Sequence, residues 1–111
     1  MNATLKNQIE KTFARVFCEF RNPGEVYNFL KDFLTEKEFT TLSKRLSVVY
    51  WLTKKRDYSN IANNLEVSSA AITEAKNLMK KKNVYDAVKK IDADEWADKW
   101  SVKIKKLLTD Q

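Results

Sequence analysis

The sequence predicts an all-α fold, a small helical domain that spans residues 1–111. The chain has one Gly and one Pro, the two residues that most strongly interrupt regular structure. Lys, Leu, Ala and Glu, which favour helices, are frequent. Apolar residues recur at steps of three and four, the period of an amphipathic helix. Hydrophobic residues make up 43% of the chain, enough to build a core.

The N-terminal part predicts two helices separated by a turn. The apolar stripe of the first helix consists of Leu5, Ile9, Phe13, Val16, Phe17 and Phe20. The turn contains Asn22, Pro23 and Gly24. Asn22 can cap the second helix, and Pro23 fits its first turn, where a backbone N–H is not needed. The stripe of the second helix consists of Val26, Phe29, Leu30 and Phe33.

A capping box predicts the start of a third helix, because Thr35 and Glu38 can each bond to the backbone N–H of the other. The residues of this helix that we expect to face inward are Phe39, Leu42, Leu46, Val49 and Leu52. The basic residues 54–56 should mark its end, since cations suit a helix C-terminus.

Four more helices are expected after residue 57. The fourth covers 59–65 and is capped by Asp57 or Ser59; the fifth follows a Ser68 cap and ends near Met79. The sixth follows residues 80–83. A seventh, capped by Asp92 or Asp94, would form an additional C-terminal helix over 92–111 that contains Trp96 and Trp100.

The composition excludes many kinds of active site. Without His, the chain has no Ser-His-Asp or Cys-His arrangement and no His-ligated metal. One Cys excludes a four-cysteine zinc site, an iron–sulfur cluster and an internal disulfide. One Gly excludes a phosphate-binding loop and a dinucleotide fingerprint. We therefore expect neither an enzyme nor a bound cofactor, and we expect Cys18 to be a small core residue in a reducing compartment.

The net charge of +6 and the isoelectric point near 9.4 favour an anionic partner, nucleic acid before an acidic membrane or protein. The first ten residues lack the apolar segment of a targeting signal. No apolar run approaches the roughly 20 residues that a bilayer-spanning helix needs. The sequence thus predicts a soluble cytoplasmic protein without a membrane partner.

Residues 58–77 have the spacing of a helix-turn-helix, within a core region that we place at 35–80. The residues expected to hold its two helices together are Ile61, Ala62, Leu65, Val67, Ile72 and Ala75. The small residues 68–70 at the start of the second helix leave room for close approach to DNA. Glu66 occupies the turn position that usually holds Gly; a left-handed Glu there costs about 1 kcal/mol, and a longer or open turn is the alternative.

The chain resembles the Trp repressor superfamily over roughly residues 5–91. The similar segments are Leu34–Glu38, Ser43–Val48, Tyr58–Ala62 and Val67–Thr73. Asn28–Thr35 resembles the YerC/YecD branch in particular. The resemblance implies an intertwined homodimer of a transcription regulator, with the second helix of the motif in the major groove of double-stranded DNA.

The resemblance does not extend to the whole effector pocket. Arg45 matches one of the two arginines that sandwich the indole in the Trp repressor, but Glu74 occupies the position of the other. A Glu repels the ligand carboxylate and supplies no bidentate cation. Ala75 and Leu78 occupy the positions at which the Trp repressor has the small and hydroxyl residues that admit and bind its amino-acid ligand. We therefore predict a vestigial pocket at Arg45 and Glu74, and no tryptophan corepressor.

The positive charge lies on both sides of the motif. Residues 58–79 have one cation and two anions, whereas 35–57 and 80–111 are each net +3. The predicted base contacts are Ser68, Ser69, Ala70, Thr73 and Lys76. The predicted phosphate contacts are Lys54, Lys55, Arg56, Ser59, Lys80 and Lys81. The alternative is that both basic clusters are solvated helix ends.

A second function agrees with some features of the sequence. Glu66, Glu74 and the added helix with Trp96 and Trp100 fit a helical protein–protein interaction module that has lost DNA binding. Glu74 itself can accept from a cytosine amino group, or pair with a neighbouring lysine. The tryptophans are expected in the core or in a dimer interface, rather than as base-stacking platforms.

Overall fold

The computed structural model describes residues 1–109, with the side chains of all of them except 96–101. Within these residues all regular structure is helical, which confirms the all-α prediction. The helices are α1 (Ala3–Val16), α2 (Pro23–Phe33), α3 (Glu36–Thr53), α4 (Tyr58–Leu65), α5 (Ser69–Leu78) and α6 (Lys82–Thr109), with a 3-10 turn at Phe17–Glu19. The chain forms two compact units, Met1–Thr41 and the part that begins at Leu42. The expected roles of Trp96 and Trp100 lie outside the described side chains.

Side-chain caps begin α2, α3, α4 and α5 where the sequence predicts them. The Asn22 carboxamide accepts from the Glu25 N–H at 3.0 Å, and the Ser68 hydroxyl accepts from the Ala71 N–H at 3.1 Å. The Thr35–Glu38 capping box forms in both directions, at 2.9 and 3.1 Å. The backbone hydrogen bond from Thr35 is the main cause that lowers the pKa of the Glu38 carboxyl. Of the two residues proposed to cap the fourth helix, Asp57 does so.

In the unit of residues 1–41, aromatic side chains pack together without complete burial. Phe29 stacks on Phe33 at 5.1 Å between ring centroids and meets Phe17 edge-on at 5.8 Å. No residue of this unit is buried, and Phe33 keeps 59% of its surface exposed. Cys18 is exposed as well, so the expectation of a core cysteine is wrong. The unit therefore leaves much of its apolar surface uncovered.

The unit that begins at Leu42 contains the buried core. Its members are Val48, Val49, Ile61, Ile72, Ala75 and Val88. Val49 was predicted to face inward, whereas Val48 was not. Leu42 and Leu46 were also expected inside but are 47% and 45% exposed. The helical period identified the apolar face of α3 but could not tell which part of that face meets another helix of the same chain.

α6 continues through the expected boundary at Asp92 or Asp94, so the predicted start of a separate helix there is wrong. Neither Gly nor Pro interrupts residues 82–109. The Asp92 carboxylate forms an ion pair with the Lys54 ammonium, and the Tyr50 hydroxyl donates to Glu95. Asp92 therefore contacts the residue that follows α3 instead of capping a helix.

Candidate nucleic-acid interface

α4 and α5 form the helix-turn-helix and are held by the core. Ile61 of α4 and Ile72 and Ala75 of α5 are buried in one cluster with Val48 and Val49 of α3. The other predicted packing residues of the motif, Ala62, Leu65 and Val67, are half-buried and pack against this cluster. The predicted packing of the motif is thus confirmed, and the orientation of α5 is fixed from its inner face.

The turn of the motif is left-handed at Glu66, with φ 53° and ψ 53°. The Val67 N–H donates to the Ala62 carbonyl at 3.2 Å, and the Lys44 ammonium donates to the Glu66 carbonyl at 3.4 Å. Gly is the usual residue at such a helix end because it lacks the Cβ that crowds this conformation. Of the two turn geometries left open by the sequence, the left-handed one is present.

Replacing Glu66 with Gly should stabilise the protein by about 1 kcal/mol, because the steric strain at φ 53° is relieved. Glu66→Ala is the matched control, since Ala keeps the Cβ, and its stability should stay within about 0.5 kcal/mol of wild type. Urea unfolding of wild type and the two variants, at one protein concentration, measures both changes in stability. Equal stability of the Gly and Ala variants would contradict the assigned strain.

The outer face of α5 presents the predicted base contacts to solvent. Ser69, Ala70, Thr73 and Lys76 are all exposed. The Thr73 hydroxyl donates to the Ser69 carbonyl at 3.0 Å, so its oxygen can still accept a hydrogen bond. Ser68 is exposed too, but its oxygen accepts the capping bond, which leaves its O–H to donate. The face combines hydroxyl donors and acceptors with methyl groups, the chemistry that reads base edges in the major groove.

One basic cluster lies in the turn between α3 and α4. Lys55 is left-handed, with φ 59°. Its N–H donates to the Leu52 carbonyl at 3.0 Å, and the Arg56 N–H donates to the Trp51 carbonyl at 3.2 Å, which is a Schellman helix end. The Arg56 guanidinium lies over the Trp51 ring at 4.0 Å and donates to Asn60 Oδ1 at 3.3 Å. This contact was not predicted from the sequence, because it depends on the left-handed conformation of Lys55.

Lys54, in the same cluster, already has an acidic partner. It pairs with Asp92, and its ammonium lies 5.6 Å from the Tyr50 ring. The hydrogen bond to Asp92 is the main cause that raises the pKa of Lys54, and the hydrogen bond to Glu95 raises the pKa of Tyr50. A DNA phosphate would compete with Asp92 for Lys54, whereas Lys55 and Ser59 are simply exposed.

The second basic cluster lies between α5 and α6. The Lys80 N–H donates to the Asn77 carbonyl at 3.2 Å, and the Lys81 N–H donates to the Leu78 carbonyl at 3.0 Å. Both ammonium-bearing side chains, and that of Lys82, are exposed. The turn places these cations directly after the last residue of α5.

Arg45 and Glu74 line one open depression of about 290 Å³, together with Asn77, Leu78 and Lys81. The structure therefore brings together the two residues assigned to a vestigial pocket. Two cations, Arg45 and Lys81, line the same depression as the Glu74 carboxylate.

Among the described residues 1–109, no cluster of three or more His, Cys, Asp or Glu side chains could hold a metal ion. In the same part of the chain, no helix has both the length and the apolar character needed to cross a bilayer.

The model of one protein family, described as Trp repressor protein, matches residues 8–91. The chain belongs to the Trp repressor family. The match includes α4, α5 and the turns on both sides of them. The family is one of helix-turn-helix DNA-binding regulators rather than enzymes. A comparison with curated proteins gives no match.

Proposed function

We propose that the protein is a sequence-specific transcription regulator that binds double-stranded DNA through α5 as a homodimer. The observation that supports this function best is the outer face of α5. It consists of small, hydroxyl and cationic residues together with Glu74 and Asn77, on a helix whose inner face is buried. A helix fixed in this way can enter the major groove with its side chains already in place. We also propose that the chain belongs to the YerC/YecD branch of the family, on the resemblance of Asn28–Thr35 to that branch.

The two basic turns and α5 would make different kinds of contact with DNA. Lys55 and Arg56 precede the motif, and Lys80 and Lys81 follow it. Phosphate contacts from these residues would fix the position of the protein on the duplex without reading sequence. Ser69, which lies between them on α5, belongs to the set that would contact bases. The charge distribution of the sequence thus fits oriented binding, since the reading helix itself is nearly neutral.

The homodimer would cover apolar surface that the single chain leaves exposed. In the first unit, Leu5, Ile9 and Phe13 each keep nearly half of their surface exposed. In the second, Leu42 and Leu46 do the same. Burial against a second copy is the simplest way to remove such surface from water. Two copies would then present two α5 helices about 34 Å apart, one turn of DNA.

A titration of mixed-sequence duplex DNA at increasing salt tests the proposal. Three to five phosphate contacts per subunit predict a slope of about −5 to −9 for log K against log[salt] in a dimer. Absence of binding at about 50 mM salt, where these contacts are strongest, would contradict the proposal. Retention of protein partners after nuclease treatment, together with that absence, would support the interaction module instead.

L-Tryptophan should not bind this protein. Glu74 lines the depression that contains Arg45, and its carboxylate would repel that of the amino acid. Isothermal calorimetry is expected to give only the heat of dilution, as measured by injecting tryptophan into buffer. Micromolar binding in that titration would contradict the assignment of a vestigial pocket.

A further inference from the structure

Among the contacts between cations and rings in the described side chains, that of Arg56 with Trp51 is the tightest. The guanidinium carbon lies 4.0 Å from the ring centroid, whereas Lys89 lies 4.9 Å from the Tyr85 ring and Lys54 lies 5.6 Å from the Tyr50 ring. Trp is the aromatic side chain that attracts cations most strongly. A guanidinium also stacks on a ring better than an ammonium does, because it is planar and more weakly hydrated.

The backbone holds the same two residues together. The Arg56 N–H donates to the Trp51 carbonyl at 3.2 Å, and the intervening Lys55 has the left-handed conformation that reverses the chain. Trp51 is half-buried and packs against the core, whereas Arg56 is exposed. The ring is therefore fixed by the fold, and it offers the guanidinium a surface of defined position.

Stacking leaves the edge of the guanidinium available. One of its N–H groups donates to Asn60 Oδ1 at 3.3 Å. The remaining in-plane donors can form the paired hydrogen bonds that a phosphate accepts from arginine. The site lies at the start of α4, where the Asp57 carboxylate already accepts from the Asn60 N–H at 2.7 Å, so the guanidinium is the group that would donate to a phosphate. The stacking on Trp51 and the backbone of the turn thus both hold the guanidinium in place for an anionic ligand.

We propose that Trp51 is a positioning residue for DNA binding, which orders the Arg56 guanidinium for a paired contact with one backbone phosphate beside the start of α4. The inference rests on the proposed DNA-binding function. It adds a residue that would contact no DNA itself, and it explains why an aromatic side chain stands at position 51. Arg56 would then bind phosphate with less loss of side-chain freedom than a free surface arginine.

The affinity test compares Trp51→Leu with Trp51→Phe on one duplex, across a salt series. Leu removes the ring and should weaken binding about 3- to 10-fold, whereas Phe keeps a ring and should lose less than Leu. The same pair of substitutions is then made in an Arg56→Ala background, where neither should change affinity further. Thermal unfolding of every variant sets a temperature at which all are folded.

Equal weakening by Trp51→Leu with and without Arg56 would overturn the proposal, because Trp51 would then act only through the fold. A second measurement needs no DNA. In the free protein, NMR relaxation of the Arg56 Nε–H group should show a more ordered guanidinium in wild type than in Trp51→Leu. The Nε–H group of exposed Arg21 should be equally ordered in both proteins. An equally mobile Arg56 in both proteins would also overturn the proposal. Absence of wild-type DNA binding alongside an ordered Arg56 would instead contradict the proposed function.

Discussion

Replacing Lys80 and Lys81 together with Gln is expected to weaken DNA binding on the order of 100-fold near 150 mM salt. Both side chains are exposed in the turn that follows α5, and each would contact a phosphate. Each lost contact makes the slope of log K against log[salt] less negative by about 0.9. A homodimer loses four contacts, so the slope should rise by about 3 to 4. Because the contacts are with phosphates, the loss should be nearly the same for every DNA sequence.

The matched control is the double replacement of Lys105 and Lys106 with Gln. It removes the same net charge from exposed positions near the end of α6, to which no DNA contact is assigned. Fluorescence anisotropy with a labelled duplex measures both variants against wild type. Equal weakening by the two double variants would show that total charge alone governs binding, and would contradict the assigned contacts.

Ile61→Ala is expected to lower the free energy of unfolding by about 3 kcal/mol. The Ile61 side chain is 0% exposed and belongs to the cluster that joins α3, α4 and α5. Removing buried methyl and methylene groups loses their transfer free energy and leaves a cavity. DNA binding should weaken together with stability, because the same cluster fixes the direction of α5.

Ile104→Ala is the matched control for this substitution. It deletes the same atoms from a residue of α6 that is 52% exposed, so we expect a change within about 0.5 kcal/mol. Denaturant unfolding at one fixed protein concentration measures both, since the stability of a dimer depends on concentration. A cost for Ile61→Ala no larger than that for Ile104→Ala would contradict the described core.

The helix starts were predictable from sequence because their determinants are local. Asn22, the Thr35–Glu38 box and Ser68 each bond to a backbone group only three residues away. A short segment therefore contains everything needed to predict them. The packing of the helix-turn-helix was predictable for a similar reason, since the spacing from Ile61 to Ala75 determines which side chains meet.

Contacts between distant parts of the chain were not predictable in this way. Asp92 is a good helix cap by residue type, yet it pairs with Lys54, 38 residues away. Leu42 and Leu46 have the helical period of inward-facing residues, but the period does not state whether their partner belongs to the same chain. Both errors concern long-range packing, because local sequence does not determine which surfaces of a protein pack against each other.

The candidate site was predicted in composition but not in detail. The residues chosen for base contacts are all exposed, as are Glu74 and Asn77 of α5, and both basic clusters are at the surface. The stack of Arg56 on Trp51 depends on a left-handed Lys55. Since only Gly marks that conformation clearly in a sequence, the turn and the contact could not be foreseen.

The central claim is that α5 reads a DNA sequence, and selection from a random-sequence duplex pool tests it most directly. Wild-type protein should enrich a near-palindromic site with half-sites about one helical turn apart. A Ser69→Gly, Thr73→Ala variant should lose the enrichment while keeping salt-dependent binding to DNA. No enrichment by the wild-type protein, together with no salt-dependent binding at about 50 mM salt, would contradict the account.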